Sequence, residues 1–193
     1  MLKIEEGKPW VMWPDILVAN FIDYPANKIL DYDGNFVFKI KFELTKPIKK
    51  KSTLFSKLPS YFGIDLEEYG LLLIVTDNAK KTDYLFGNNI WNVGEIYELE
   101  VKKINNAIQV MLNGTSLIKY ELKNDLASDD ISHIIFGAGN FPKNGFNLNY
   151  SELILHYLSI TKDEMVIAEH YFNQFIHNKS FDETGNCNFI HLI

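Results

Sequence analysis

Residues 35–44 read NFVFKIKFEL, and every second side chain in this stretch is apolar. Successive side chains of a β-strand point to opposite faces, so one face of such a strand would be apolar and the other mostly charged. This alternation is typical of a half-buried strand rather than of a helix. The apolar face would consist of Phe36, Phe38, Ile40, Phe42 and Leu44.

The same alternation returns at residues 97–102, 108–112, 118–122 and 146–150. Short turn signals separate these runs, because the asparagines of Asn105-Asn106 and Asn113-Gly114 tolerate positive φ and favour tight hairpins. Residues 71–75 form a continuous apolar run of strand length, which predicts a central strand covered on both faces.

The pattern predicts an all-β fold, a two-sheet antiparallel β-sandwich that occupies residues 1–193 as one domain. About twelve strands would form it. Short helical turns are expected only at Asp163-Glu164 and at residues 124–129. The predicted core includes Phe36, Phe38, Leu73, Leu99, Val101, Val110, Ile135 and Phe172.

The charge composition narrows the range of partners. All 19 basic residues are lysines, and the net charge is −6. The sequence therefore lacks arginine, whose side chain makes bidentate hydrogen bonds to phosphate and guanine. Nucleic acid is therefore not an expected partner. A membrane is not expected either, because no apolar run approaches the ~18 residues of a membrane span.

The ends of the chain and its single cysteine carry further signals. The first residues lack the pattern of a signal peptide, so we expect an intracellular protein or one domain of a longer protein. Cys187 is the only cysteine, which excludes a disulfide scaffold. A catalytic thiol needs a positioned base, and His191 close by on the same strand face is interpreted as packing.

A series of short motifs follows in a fixed order through the middle of the chain. They are residues 52–56 (STLFS), the run 71–75, residues 91–101 (WNVGEIYELEV), residues 108–114 (IQVMLNG) and residues 134–137 (IIFG). This order resembles the laminin-G-like members of the concanavalin A-like lectin/glucanase family over most of residues 30–160. The resemblance implies a jelly-roll sandwich.

The C-terminal part departs from the order of that family. Residues 168–172 and 180–188 resemble the segment that usually opens such domains, but here they stand at the end. Either the terminal strands are circularly permuted, which a sandwich with adjacent termini tolerates, or the chain ends where a second copy begins.

Catalytic glucanases of the resembled family carry carboxylates in the pattern E-x-D-x-x-E on one strand. The nearest stretch here is residues 63–68, where Gly63 stands in the place of the first glutamate. A retaining mechanism needs that carboxylate as its nucleophile. Asp65, Glu67 and Glu68 are therefore interpreted as polar positions on a strand and its turn. No catalytic residue is predicted, and the protein is not expected to be an enzyme.

Metal binding rests on weaker signals. The five histidines show no zinc-ligand spacing, and no cofactor is expected. The resemblance implies calcium as the alternative, because calcium takes carboxylate and amide oxygens. We interpret the candidate groups first as turn formers; they are Asp77-Asn78, Asp129-Asp130 and Asp182 with Gly185-Asn186.

A sugar site needs an aromatic face for the C–H surface of the ring and amides or carboxylates for its hydroxyls. Residues 84–92 (YLFGNNIWN) combine aromatic and amide side chains between two predicted strands. The alternative for the tryptophan is burial beside the hairpin. The predicted carbohydrate-binding residues are Tyr84, Asn88, Asn89, Trp91 and Asn92.

Together these observations predict a non-catalytic, lectin-like carbohydrate-binding module, an accessory domain of a larger glycan-related protein with a glycan as its partner. The alternative is a structural or protein-interaction sandwich, as in a phage or surface assembly, without a sugar site. A glycoside hydrolase or lyase would require carboxylates from separate strands to converge in one groove. The sequence leaves the oligomeric state open.

Overall fold

The computed structural model describes residues 34–57, 62–127 and 153–171 in full, together with the backbone of seven short strands outside these ranges. No helix occurs in this part of the chain, and hence none that is long and apolar enough to cross a membrane.

The described residues form strands joined by short connections. In chain order the strands are β1 (Leu2–Ile4), β2 (Trp10–Val11), β3 (Leu17–Val18), β4 (Ile22–Tyr24), β5 (Phe36–Leu44), β6 (Ser52–Lys57), β7 (Phe62–Glu67), β8 (Gly70–Thr76), β9 (Thr82–Asn88), β10 (Ile96–Ile104), β11 (Ala107–Leu112), β12 (Thr115–Glu121), β13 (Ile134–Phe136), β14 (Leu153–Lys162), β15 (Met165–Tyr171), β16 (Lys179–Ser180) and β17 (Ile190–His191).

Two large antiparallel sheets build the fold. The seven-stranded sheet has the order β1-β14-β5-β10-β11-β12, and β15 also pairs with β14. The six-stranded sheet has the order β4-β13-β6-β7-β8-β9. Two further ladders, β2 with β3 and β16 with β17, form separate two-stranded sheets. The predicted all-β, two-sheet antiparallel sandwich is confirmed; permutation of the terminal strands stays a prediction.

The alternating pattern of β5 explains how the sheets pack. Every second residue, from Phe36 to Leu44, is apolar and buried, while the residues between them are half-buried or exposed. The Phe38 ring lies 5.4 Å from the Phe55 ring of the other sheet, and Phe36 lies 5.4 Å from Phe62. Each large apolar side chain that is fully buried contributes about 1.5–3 kcal/mol, so these rings hold the two sheets together.

Most of the predicted core is confirmed. Six of the eight named residues are buried, and they are Phe36, Phe38, Leu73, Leu99, Val101 and Val110. The side chains of Ile135 and Phe172 lie outside the fully described residues.

Both predicted hairpins are confirmed. Asn105 (φ 52°) lies between β10 and β11, and Asn113 (φ 48°) lies between β11 and β12. The side-chain oxygen of Asn113 also accepts the backbone N–H of Glu98 at 2.8 Å, which ties this turn back to β10.

The predicted helical turn at Asp163-Glu164 is wrong. Both residues have positive φ, 46° and 68°, and they form the two-residue turn between β14 and β15. Two consecutive residues with positive φ fit a tight hairpin, which follows the twist of its strands. The Asp163 carboxylate also accepts the backbone N–H of Asn35 at 3.0 Å. Residues 124–127 contain no helical turn either.

The apolar run at residues 71–75 is a strand, as predicted, but it is not central. It belongs to β8, which is next to the last strand of the six-stranded sheet. Leu71, Leu73 and Val75 enter the core, whereas Leu72 and Ile74 are only half-buried on the outer face. The apolar run is therefore covered fully on one face only.

Candidate functional site

A groove of about 610 Å³ crosses the outer face of the seven-stranded sheet. Its walls and floor come from β5, β10, β11, β14, β15 and the turn after β11. The lining residues are Lys39, Ile40, Lys41, Glu98, Leu99, Glu100, Met111, Gly114, His156, Tyr157 and Tyr171.

Strand register explains why these polar side chains meet. In β5 and β10 buried positions alternate with half-buried or exposed ones, so the residues between the buried positions face outward. Lys41 lies directly opposite Glu98, and Lys39 lies directly opposite Glu100. Residues opposite each other on neighbouring strands have their side chains on the same face of the sheet. The lysines of one strand therefore stand beside the glutamates of the next.

Ion pairs connect these charges across the groove floor. The ammonium group of Lys41 lies 2.7 Å from a carboxylate oxygen of Glu98. Glu100 binds two lysines, Lys102 at 2.6 Å and Lys39 at 3.4 Å. Such partly exposed pairs contribute little to stability, but they present charged hydrogen-bonding groups at fixed positions.

A pair of tyrosines forms the other side of the groove. Tyr157 of β14 and Tyr171 of β15 are opposite each other in the ladder, and their ring centroids lie 4.9 Å apart. Both hydroxyls donate to the same carboxylate oxygen of Glu169, at 2.7 Å and 3.3 Å. This carboxylate fixes the orientation of both rings.

The environment of Tyr157 keeps its hydroxyl protonated. Burial is the largest cause, and the neighbouring Glu169 carboxylate adds to it; together they raise the pKa of Tyr157 to about 12. The phenol is therefore a hydrogen-bond donor at every physiological pH.

A β-bulge brings a histidine to the same surface. The register between β14 and β5 shifts between Leu155 and Tyr157, so the extra residue, His156, has no partner in the ladder. Its Nε2 lies 3.3 Å from a carboxylate oxygen of Glu43. Bulges of this kind turn a side chain away from its regular direction, and here His156 lines the groove together with Tyr157.

The predicted binding residue Trp91 is directed toward the core. Its indole N–H donates to the backbone oxygens of Glu67 at 2.8 Å and of Gly70 at 3.1 Å. Its ring lies 5.0 Å from the ring of Tyr97 in an edge-to-face arrangement and 6.2 Å from that of Phe42. These contacts join the turn after β9 to the inside of the sandwich.

The asparagines of the predicted site are divided between two places. Asn92 belongs to the turn: its side-chain amide donates to Glu95 at 3.0 Å and its backbone N–H to the Tyr97 hydroxyl at 2.6 Å. Asn89 donates its backbone N–H to Tyr69. Asn88 is exposed at the end of β9.

Tyr84 is exposed on the outer side of β9 and does not line the groove. The five residues predicted to bind sugar therefore do not converge on one surface: Trp91 and Asn92 serve the turn, while Tyr84 and Asn88 face outward. The sugar-binding role of the set stays a prediction.

In residues 63–68, the stretch compared with the glucanase motif, Asp65 makes structural contacts. Asp65 is 3% exposed, and its carboxylate accepts the Thr53 hydroxyl at 2.6 Å and pairs with Lys51 at 2.6 Å. A carboxylate engaged on both oxygens in this way anchors β6 to β7.

Of the calcium candidates, the structure describes only Asp77-Asn78. The Asp77 carboxylate accepts the Asn124 amide and the backbone N–H of Lys81, both at 2.8 Å. These hydrogen bonds, that from Asn124 first, lower the pKa of Asp77. The described residues contain no group of three or more histidine, cysteine, aspartate or glutamate side chains able to hold a metal. The candidates at residues 129–130 and 182–186, with Cys187, lie outside them.

The groove residues were missed by sequence analysis. The alternation of lysines in β5 and of glutamates in β10 is visible in the sequence. The pairing that places Lys41 against Glu98, and the bulge that places Tyr157 opposite Lys41, are set by long-range register. The aromatic residues of β14 and β15 were the available signal, but no pattern linked them to β5.

Comparisons with known proteins bear on the fold. No family model matches the chain, and no curated protein matches it. Among solved structures, a candidate carbohydrate-binding protein from Bacteroides ovatus matches with a TM-score of 0.69 and 9% identity, over 98% of this chain and 58% of that one.

Two further structures match over smaller parts. The binding domain of botulinum neurotoxin serotype G matches with a TM-score of 0.53 and 13% identity, over 74% of this chain and 37% of that one. A Trypanosoma rangeli sialidase matches with a TM-score of 0.50 and 13% identity, over 66% of this chain and 20% of that one. The chain thus spans about 58% or less of each of these three structures.

At such low identities these likenesses concern the fold alone. The shared architecture is a jelly-roll β-sandwich of the concanavalin A-like type, which confirms the resemblance drawn from the sequence motifs at the level of the fold.

Proposed function

We propose that this jelly-roll sandwich of the concanavalin A-like type is a non-catalytic carbohydrate-binding domain that holds a glycan in the groove of the seven-stranded sheet. One observation carries the proposal: a groove of about 610 Å³ combines a pair of oriented tyrosine rings with a row of charged hydrogen-bonding groups. A sugar ring has the matching chemistry, an apolar C–H face edged by hydroxyls.

The tyrosine pair supplies the apolar surface. Tyr171 is 49% exposed, and its ring is held by the Glu169 carboxylate and by contact with Tyr157. A ring that is already fixed loses little conformational freedom when a ligand binds. The C–H face of a sugar is expected to lie against Tyr171.

The charged pairs supply the polar contacts. A sugar hydroxyl is both donor and acceptor, so it can donate to Glu98 while it accepts from Lys41, whose charged groups lie 2.7 Å apart. The lining contains two lysines and two glutamates, so their charges balance. A neutral glycan fits this lining better than an acidic one.

The carboxylates of the groove argue for binding rather than catalysis. Glu98 and Glu100 are two residues apart on one strand, about 6.7 Å along it, which is near the spacing of inverting glycosidases. Both, however, are engaged by lysines. The two carboxylates of a glycosidase must instead be free to reach the leaving-group oxygen and the attacking water.

Two structural neighbours support a binding role. The protein from Bacteroides ovatus is described as a candidate carbohydrate-binding protein, and the neurotoxin match is a binding domain. The loop at residues 84–92 remains a separate predicted site. We also propose a single domain over residues 1–193 and a role as an accessory module, and both proposals rest on the sequence.

A glycan array tests the proposal. It is probed with the wild-type chain, with Tyr171→Ala in the groove and with Tyr84→Ala on β9; Tyr69→Ala, an exposed tyrosine on the turn after β7, is the matched control. We expect Tyr171→Ala to weaken binding of a neutral glycan at least fivefold, as expected for a lost aromatic contact of about 1 kcal/mol, and the other variants to bind as the wild type.

Two outcomes would contradict the proposal that a glycan binds in the groove. If Tyr84→Ala abolished binding while Tyr171→Ala did not, the glycan would occupy the loop predicted from sequence. If no glycan bound, the carbohydrate-binding function itself would be wrong. Release of reducing sugar from a bound glycan, lost in Glu98→Gln, would contradict the non-catalytic assignment.

A further inference from the structure

The last strand of the six-stranded sheet, β9, has one unpaired edge among the described residues. It pairs with β8 along its whole length, and no other described strand pairs with it. An unpaired edge presents backbone N–H and C=O groups that are able to pair with another chain.

The hydrogen bonds of the ladder identify which groups are free. At one end the Asp77 N–H donates to the Lys81 oxygen at 2.9 Å, and at the other the Asn89 N–H donates to the Tyr69 oxygen at 3.0 Å. Both bonds join odd-numbered partners. Bonded and non-bonded pairs alternate along an antiparallel ladder, so the even-numbered residues of β9 direct their backbone groups away from β8. They are Thr82, Tyr84, Phe86 and Asn88.

The same four residues also form the outer face of the strand. Tyr84 is 64% exposed and Phe86 is 50% exposed, beside the half-buried Ile74 and Leu72 that lie opposite them on β8. None of the four carries a charge. The free edge and the apolar surface of β9 therefore coincide.

The edge strand of the other sheet is different. β12 carries Lys119 and Glu121 at exposed positions, and its ladder with β11 contains a register shift. Charges and bulges are the devices that keep an edge strand from pairing with other chains. β9 has neither between Tyr84 and Asn88, and its ladder with β8 is regular.

We propose that β9 is a dimer interface at which two copies of this chain pair antiparallel, with Leu85 of each copy at the two-fold axis. In this register Tyr84 lies opposite Phe86 of the second copy, and Thr82 opposite Asn88. The two-fold axis repeats each of these pairs, which gives four in all. Every one of them joins residues whose backbone groups point away from β8, so about eight hydrogen bonds form, two for each pair. The two six-stranded sheets become one continuous sheet.

The side chains suit this register. Each Tyr84 meets a Phe86 ring, a cross-strand aromatic pair of the kind that stabilises antiparallel sheets. Along the paired strands Asp83 lies opposite Gly87 and Lys81 opposite Asn89, so no like charges face each other in this ladder. A second copy fits better than an unrelated strand because the edge complements itself in both backbone and side chains.

The dimer leaves the proposed glycan groove open. The groove lies on the seven-stranded sheet, while β9 belongs to the other one. Each dimer would carry two grooves, which raises the avidity for a glycan with repeated units. The interface does not depend on glycan binding, so the two proposals fail separately.

Sedimentation equilibrium tests the interface on the intact chain, with Phe86→Lys as the variant. Met165→Lys, which places the same charge on the exposed first residue of β15, is the control. We expect the wild type and the control to sediment at twice 22.4 kDa at tens of micromolar, and Phe86→Lys to have a dissociation constant raised at least tenfold. A wild type that stays monomeric at millimolar concentration, or a Phe86→Lys dimer as tight as the wild type, would overturn the proposal.

Disulfide trapping tests the register and does not depend on the stability of the lysine variant. In a Cys187→Ser background, chains carrying Tyr84→Cys are mixed with chains carrying Phe86→Cys and oxidised. Two residues that exchange both backbone hydrogen bonds across an antiparallel ladder have Cα atoms about 5.5 Å apart, which is within reach of a disulfide. The mixture should crosslink, and each variant alone much less, since its cysteines would be diagonal neighbours. Equal crosslinking in all three samples would contradict this register.

Discussion

Substitutions of Trp91 distinguish a structural role of this residue from a role in ligand binding. Trp91→Phe removes the two hydrogen bonds to the carbonyls of Glu67 and Gly70 but keeps an aromatic ring against Tyr97. The single indole N–H is shared between the two carbonyls, so at about 1 kcal/mol net for one hydrogen bond this variant should lose about 1 kcal/mol of unfolding free energy. Trp91→Ala also removes the ring contacts, and it should lose about 3 kcal/mol, the lower end of the range for buried aromatic residues, because the side chain is only partly buried.

Urea unfolding followed by far-ultraviolet circular dichroism measures these losses, since the midpoint shift at constant slope reports the free energy. Ile90→Ala, at the exposed neighbouring residue, is the control and should change stability by less than about 0.5 kcal/mol. Folded Trp91→Phe should bind glycan as the wild type does. If Trp91→Ala lost less than about 0.5 kcal/mol and yet abolished glycan binding, the reasoning would be refuted and Trp91 would be a ligand contact.

Three further predictions follow from single positions. Gly70→Ala should cost about 3 kcal/mol or more in thermal unfolding, because a Cβ there would lie 2.1 Å from the Gly87 oxygen; Gly114→Ala, with free space around it, should cost only about 1–2 kcal/mol, and equal losses would contradict the clash. The raised pKa of Tyr157 means that the folded state holds this proton more tightly, so its contribution is complete below pH 10 and lost between pH 10 and about 12; Tyr157→Phe should flatten the melting temperature over that interval. The lowered pKa of Asp77 acts in the opposite sense, with stability present above its ordinary value near 4 and lost below it; Asp77→Asn should show a shallower loss on acidification, and an unchanged slope would argue against these hydrogen bonds.

The sandwich could be predicted from sequence because its signal is local. In β5 the core-facing residues are all apolar, and a period of two is legible within ten residues. The turns at Asn105 and Asn113 are equally local, since their positive φ suits asparagine. At Asp163-Glu164 the sequence prediction is wrong because acidic residues also open helices, and only the pairing of β14 with β15 decides between a helical turn and a hairpin.

The groove could not be predicted because it depends on register between distant strands. Tyr157 and Lys41 are neighbours across a ladder although 116 positions separate them in the chain. One bulge, at His156, determines which residues of β14 face outward, and a shift by one residue would reverse them. Trp91 is a similar case: an aromatic residue after a strand can face the solvent or the core, and the carbonyls of Glu67 and Gly70 decide which.

The central claim is that a neutral glycan binds in the groove of the seven-stranded sheet. Backbone amide chemical shifts recorded by NMR during titration with a glycan selected on the array test it most directly. The account predicts that the largest shifts map to β5, β10, β14 and β15, around Lys41, Glu98 and Tyr171. Shifts confined to residues 84–92, with those strands unchanged, would contradict it.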